Sequence, residues 1–489
     1  MLAAVVAPLA PLVASRAGGA LPGAVGDAVP VSATEPVRAE DRVMVLISVD
    51  GLAGFYFDDP RAEMPNIRAL AAEGAKAPLM RASTPSVTWP NHTTLVTGDH
   101  PARHGVVGNN YFDREAGKQV ALIQDPIFDK DQIVRVPTIY DIAKSAGLRT
   151  AALGWPATRN ARTLDWTVPD TKGDILDQYT TPSLLAECLA AHLWPEVAEP
   201  AAGNPGPTTG PARDGVRPIG PPRAAMTEEM LTDIFGMILE RHRPNLALLH
   251  ISFVDHTEHQ YGPRSPEAYA AIRAADERVG RVWAQLRRDY PGRATMFVVS
   301  DHGFSPIEHA ILPNVILREA GLTDVKGLRV VGGDVRVVSA GGAALVYVLN
   351  DARRAEIVAR MPALFGNVEG VASVVGPEGF AELGVADPKL DPHAPDVILF
   401  AKEGYSFGST AAGAMTQLEK PEIKGTHGHD TRLPDLHAIF VAWGVGIRPG
   451  AVLGEISNTD VAPTIAAIVG LPMPDVDGKV LREALVNQP

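Results

Sequence analysis

Short apolar runs that stop at a polar residue recur along the chain. The clearest are VMVLISV at 43–49, LALLHISFV at 246–254 and TMFVVS at 295–300. Runs of this length, rich in β-branched residues, predict strands buried on both faces of a parallel sheet. Strands are expected at 43–49, 149–154, 246–254, 295–300 and 437–443. Between them the apolar period becomes that of a helix. Positions 64, 67 and 70 share one face, with Gly74 as the stop. Residues 227–242 open with a Thr cap and carry Glu228 and Glu229 in the first turn. Residues 267–290 are long and amphipathic, and 460–470 have Pro463 in the first turn and a final glycine. Strands alternating with helices predict an α/β fold: a mostly parallel sheet sandwiched by helices.

Two stretches break the alternation. Residues 197–222 are too rich in Pro and Gly for a packed element and read as a surface insertion. Residues 327–420 have a pattern of their own, with strands expected at 328–338, 343–349, 370–375 and 396–400 and a helix at 351–365. They read as a small α+β insert between two parts of the core, 41–326 and 421–489. Residues 1–40 stand apart as a signal-like segment and linker. Positions 2–14 are almost wholly apolar and small residues follow, as at the end of a secretory signal, although Arg16 is the first charged side chain. Export is the expectation, with a disordered tail as the alternative. An apolar run of about 14 residues is too short to span a bilayer, which takes about 20.

Composition narrows the classes. The chain has 489 residues, 46% hydrophobic and 21% charged, as in ordinary globular proteins. A net charge of −13 argues against a nucleic-acid polymer as partner, though not against a small nucleotide. The single cysteine, Cys188, excludes an internal disulfide and a Cys-based zinc site.

The chemistry gathers where apolar runs end. Asp50, Asp255 and Asp301 each follow one, and ligands in open α/β sheets bind beyond the carboxyl ends of strands. Three carboxylates at one edge repel unless cations neutralise them. His259 and His302 lie close to two of them, and imidazole suits zinc better than magnesium. Asp255 and His259 are spaced i, i+4, so a helical turn after Val254 turns both one way. His427 lies in GTHGHD, where Gly425 and Gly428 allow close backbone approach. Together these residues read as a binuclear metal site. Thr88 lies between Pro85 and Pro90 at the expected start of a helix running to Gly98. There its hydroxyl faces unpaired N–H groups, and a nearby metal can make it a nucleophile. A plain N-cap role is the alternative, and Thr93 and Thr94 are rivals inside the helix.

The blocks VDG, TWPNHTTLVTGDHPARHGVVGNN, DHTEHQYGP, SDHGF and GTHGHD resemble the nucleotide pyrophosphatase/phosphodiesterase branch of the alkaline phosphatase superfamily. The resemblance runs over about 43–309 and 423–480. It leaves out 195–225 and most of 327–420. It implies an alkaline-phosphatase-like sheet with a cap insert, two Zn²⁺, and a small phosphodiester or nucleotide as substrate. It also implies roles. Thr88 matches the nucleophile. Asp255, His259 and His427 match the ligands of one zinc, and Asp50, Asp301 and His302 with the Thr88 oxygen those of the other. Asn109 matches the asparagine that holds a phosphoryl oxygen, and Asn110 is the neighbouring alternative. Trp89 stands where the family has Phe. It either stacks on the substrate or packs into the sheet. Trp155 resembles the Trp-Pro of a substrate-side loop, which otherwise diverges.

The implied activity is hydrolysis of phosphodiester or pyrophosphate bonds through a threonyl-phosphate intermediate. Two Zn²⁺ balance three aspartates and a threonine alkoxide, so a monoanionic diester enters without repulsion. A phosphomonoesterase or a phosphonoacetate-type hydrolase on the same site stays open, as does a non-catalytic metal-binding relative. No Cys or Ser occupies position 88 in a sulfatase-type block.

Overall fold

The computed structural model describes residues 41–123, 128–171, 175–197, 225–413, 417–419 and 421–486. The signal-like segment and linker, and nearly all of the 197–222 insertion, lie outside the described residues. The main sheet contains β1 (Val43–Val49), β2 (Ala75–Arg81), β3 (Thr150–Leu153), β4 (Trp166–Val168), β5 (Leu246–Ile251), β6 (Ala294–Val299) and β7 (Ala438–Gly444). Their order is β2-β7-β6-β1-β5-β3-β4, with Ala451–Val452 and Ile456–Ser457 along the outer edge of β2. β1 pairs in parallel with β5 and β6, and β3 with β5 and β4. β7 alone runs against its neighbours.

Strand alternation divides the core. Val43, Val45, Ile47 and Val49 face one side of the sheet, together with α1 (Pro65–Glu73), α3 (Glu228–His242) and α5 (Pro266–Asp289). Met44 and Leu46 face the other, with α2 (Thr88–Thr97) and α6 (Val461–Val469). The sheet is sandwiched by helices, as the alternation of run and helix predicts.

Two expected strands are corrected. The 246–254 run ends as a strand at Ile251, because α4 (Phe253–Tyr261) already begins before Val254. The expected 328–338 strand is two, Arg329–Gly333 and Val335–Ala340. Gly333 breaks it at φ +95°, where a Cβ would lie 2.6 Å from the carbonyl of Leu322. In the main sheet, β2, β4 and the two short edge strands have no counterpart among the expected ones.

Beyond Ser305–Ile311 the chain builds a second sheet, Val335–Ala340, Ala343–Val348, Val397–Ala401 and Val371–Val375 in that order, with every pair antiparallel. One face is covered by its own helix, Arg354–Phe365, through Ile357, Met361 and Phe365. The other presents Leu345, Tyr347 and Phe400 to Trp89, Val107 and Phe112 of the core. The cap therefore rests beside the start of α2.

Candidate functional site

Three adjacent central strands, β6, β1 and β5, deliver the three aspartates. Asp50 follows β1, Asp301 lies two residues past β6, and Asp255 is in the first turn of α4 after β5. The Asp255 N–H donates to the carbonyl of Asp50 at 3.1 Å. Gly51 makes this approach possible at φ +73°, since a Cβ there would lie 3.1 Å from Asp255 Cα. Asp255 and His259 lie one turn apart on α4, so both meet the same point. His427 follows a short antiparallel pairing of Gly425–Thr426 with Ser305 and Pro306, just past His302.

The side chains converge as two groups. His259 Nε2 lies 3.2 Å from His427 Nε2, and these atoms are 3.5 and 3.3 Å from Asp255 Oδ1. His302 Nε2 lies 3.1 Å from Asp301 Oδ2 and 3.5 Å from Asp50 Oδ1. His302 is also within reach of Asp255 and His427, and its ring stacks on His427 at 3.8 Å. It joins the two groups.

Metal ions fit these atoms. In each histidine Nδ1 is tied to a carbonyl: His259 to Gly425, His427 to Ser86 and His302 to Gly303. Each Nδ1–H donates, so each Nε2 presents a lone pair to the centre. Two lone pairs at 3.2 Å repel unless a cation lies between them. Asp50 Oδ1, Asp255 Oδ1, Asp301 Oδ2 and His302 Nε2 are buried without a well-formed hydrogen bond. Burial, then the neighbouring carboxylates, push Asp50 and Asp301 well above the usual carboxyl range. Burial also pushes Asp255 up, but His259, His427 and His302 outweigh it and hold this carboxyl well below that range. Burial lowers His259 and His302, which favours the neutral, ligating imidazole. For His427 burial is outweighed by the bond and charge of Asp255, which raise it, so this point of the site favours positive charge.

Thr88 is the first residue of α2; Val87 holds the cap position, so Thr88 is not the N-cap. It lines a cavity of about 580 Å³ shared with Asp50 and Asp255. The hydroxyls of Thr93 and Thr94 are turned inward, to the carbonyl of Trp89 and to His104 and Ser83. Asn109 Oδ1 accepts the Trp89 N–H at 2.8 Å, so its amide sits against the first turn of α2. Asn110 instead opens the hairpin strand Asn110–Asp113.

Comparison with known proteins decides the family. The profile described as type I phosphodiesterase / nucleotide pyrophosphatase matches residues 44–430. The chain belongs to this family. Human ectonucleotide pyrophosphatase/phosphodiesterase family member 7 is 23% identical over 454 residues, 89% of this chain and 82% of that protein. An uncharacterised pyrophosphatase/phosphodiesterase of Schizosaccharomyces pombe is 29% identical over 270 residues, 54% of this chain and 45% of its own. The chain spans less than half the length of that relative, and 41% of human family member 1. Mouse ectonucleotide pyrophosphatase/phosphodiesterase 5 superposes with a TM-score of 0.65 at 20% identity, covering 91% of this chain and 100% of that one. An inactive threonine-to-alanine variant of the mouse protein, in complex with AMP, superposes at 0.64 and 18% identity. The shared fold is alkaline-phosphatase-like α/β.

In this family member the two tryptophans singled out by sequence are buried. Trp89 is 4% exposed, packs toward the cap, and donates its indole N–H to Asp170. Trp155 is fully buried, edge-on to His92. Neither lines the cavity. Three residues close to the ligands escaped the sequence reading. His250 Nδ1 donates to the carbonyl of Gly154, and its Nε2 lies 3.0 Å from Asp50 Oδ2. A lone histidine in a wholly buried strand was the available signal. His92 lies one turn from Thr88, with Nδ1 on the Thr88 carbonyl. Tyr56 donates to Glu258 at 2.5 Å and accepts the Arg264 N–H at 2.7 Å.

Proposed function

We propose that the protein is a two-zinc phosphodiesterase/nucleotide pyrophosphatase that works through an ester on Thr88. The observation that carries this is the convergence of three Nε2 lone pairs and three carboxylates beside a cavity lined by Thr88. Imidazole with carboxylate is a zinc-type donor set. Asp255, His259 and His427 would hold one ion, and Asp50, Asp301, His302 and the Thr88 oxygen the other. Bound there, two zinc ions would supply positive charge to an alkoxide nucleophile and to the leaving oxygen.

The chain's own residues do the rest. The first turn of α2 presents the Thr88 hydroxyl to the cavity and adds the positive end of the helix dipole. Thr88 Oγ1 gives its proton to water and bonds phosphorus, while the opposite P–O ester bond breaks and its oxygen leaves with a proton from water. Asn109 has its Oδ1 occupied by Trp89, which leaves its Nδ2 to donate to a phosphoryl oxygen. Water then hydrolyses the ester and restores the threonine. The inactivity of the threonine-to-alanine mouse neighbour is the behaviour expected when a threonine carries the reaction in this fold. Its AMP supports a small nucleotide-type substrate here. The relatives named ectonucleotide pyrophosphatase/phosphodiesterase support export. Among the described residues no helix is long and apolar enough to cross a membrane.

A rate comparison tests the activity. With zinc present, p-nitrophenyl thymidine monophosphate is expected to exceed p-nitrophenyl phosphate and phosphonoacetate in kcat/KM, because the charge balance at the site suits a monoanion. A higher value for the monoester or for phosphonoacetate would put that sister activity in its place.

A further inference from the structure

Asp50 and Asp301 each have one oxygen engaged by the protein and one left bare. Asp301 Oδ1 accepts the Gly51 N–H at 3.2 Å, and its Oδ2 has no partner. Asp50 Oδ2 lies 3.0 Å from His250 Nε2, and its Oδ1 has no partner. The bare oxygens are the two that face His302 Nε2, Asp50 Oδ1 at 3.5 Å and Asp301 Oδ2 at 3.1 Å. A backbone group holds Asp301, whereas Asp50 depends on a side chain. The sheet dictates which one. Strand alternation puts Leu246, Leu248 and His250 on the α2 face of β5, and Met44, Leu46 and Asp50, one residue past β1, on the same face. The Asp50 N–H continues the ladder to the carbonyl of Ile251 at 2.8 Å, which brings the two side chains together. On its other side β5 borders β3, and His250 Nδ1 lies 2.9 Å from the carbonyl of Gly154, where β3 ends. Both ring nitrogens face acceptors, so the ring donates from both. It is buried and packs on His92 of α2, with centroids 4.3 Å apart.

We propose that His250 is a positioning residue, which holds Asp50 Oδ2 so that Oδ1 alone is turned to a metal ion. The proposal rests on the two-zinc reading of the site. His250 itself touches neither metal nor substrate in it. A carboxylate already turned to the ion gives up little torsional freedom when it binds one. Contacts that orient a ligand in this way are worth roughly ten- to a hundredfold in metal affinity. The effect is local. The bonds that tie His259 and His427 go to Gly425 and Ser86, not to His250. The ion placed at Asp255 should therefore not respond to a change at His250.

Two neutral variants separate the bonds of the ring. His250→Asn places an amide near the Nδ1 position and can keep only the Gly154 contact. His250→Gln reaches the Nε2 position and can keep the Asp50 contact. The zinc-loaded full chain and both variants would be dialysed against graded chelator and their zinc counted by elemental analysis. At a chelator concentration where the wild type keeps two zinc ions per chain, His250→Gln should keep two and His250→Asn one. The affinity for the lost ion should fall roughly tenfold or more. Asp301→Asn, which lacks a ligand of that ion, should also keep one, and adding His250→Asn to it should remove no more. Melting temperatures of the zinc-free variants should agree, so that folding does not account for the difference. Retention of both ions by His250→Asn overturns the proposal, as does loss of both, or an equal loss from His250→Gln. A His250→Asn protein that does not fold without zinc overturns it too, because the ring would then hold the sheet and not Asp50. A wild type that holds no zinc overturns the two-zinc reading itself.

Discussion

Thr88 owes its place to the first turn of α2, where the next N–H is taken by Asn109 and Pro90 has none. Its hydroxyl is spent on neither capping nor packing, unlike those of Thr93 and Thr94. Thr88→Ala should lower kcat by on the order of 10⁴ or more, with the zinc retained, since the other proposed ligands remain and only the covalent route is lost. Thr88→Ser should recover part of the rate through a looser rotamer. Steady-state kinetics with elemental analysis checks both, and an alanine enzyme within tenfold of wild type would point to direct attack by water. The six metal-ligand candidates were legible in sequence because each ends an apolar run, sits beside glycine or, for His259, lies four residues from an aspartate. His250 was not, because nothing in its spacing ties it to Asp50, which it meets only where β1 and β5 pair.

At the scale of elements, α4 carries two proposed ligands, and a buried side-chain contact helps fix it to the loop after β1. Tyr56 and Glu258 are both fully buried, and the second carboxylate oxygen of Glu258 has no partner. Tyr56→Phe strips the remaining hydrogen bond from a buried carboxyl. That should cost about 2 kcal/mol of stability and weaken zinc held by Asp255 and His259, by on the order of tenfold. Denaturant titration and competition with a chelator read the two effects, and a variant unchanged in both would show that the contact positions nothing. Element prediction failed where local chemistry overrode pattern. β2, AKAPLMR, does not read as a strand because of Pro78. That proline lies between the two short edge strands, which pair only with residues 75–76 and 80–81, so no partner needs its missing N–H. Gly333 divided an apolar run that looked continuous.

Across the whole molecule, the proposed ligands are scattered from Asp50 to His427 and meet only when the sheet is complete. The carboxylates repel and the Nε2 lone pairs face each other, so bound metal should stabilise the folded state. Purified active protein should contain about two zinc ions per chain. Prolonged chelation should abolish activity and lower Tm, and added zinc should restore both. Zinc-free active protein would remove the metal from the account. Sequence could point to the sheet edge where the candidate ligands converge, because strand ends and residue types are local. It could not place the walls of the cavity beside Thr88, because Ile123, Asp170, Glu228 and Arg278 are far apart in the chain and meet only in the folded core. Trp89 is buried in the cluster it shares with the cap, and no local pattern announces that.

The proposed reaction turns on a covalent bond to Thr88. Enzyme quenched in acid during turnover of a nucleotide diester, then digested and analysed by mass spectrometry, reads that bond directly. The expected result is a phosphoryl ester, carrying the group retained from the substrate, on Thr88 and not on Thr93 or Thr94. Turnover that continues with no adduct on Thr88, or with the adduct on another residue, would contradict it.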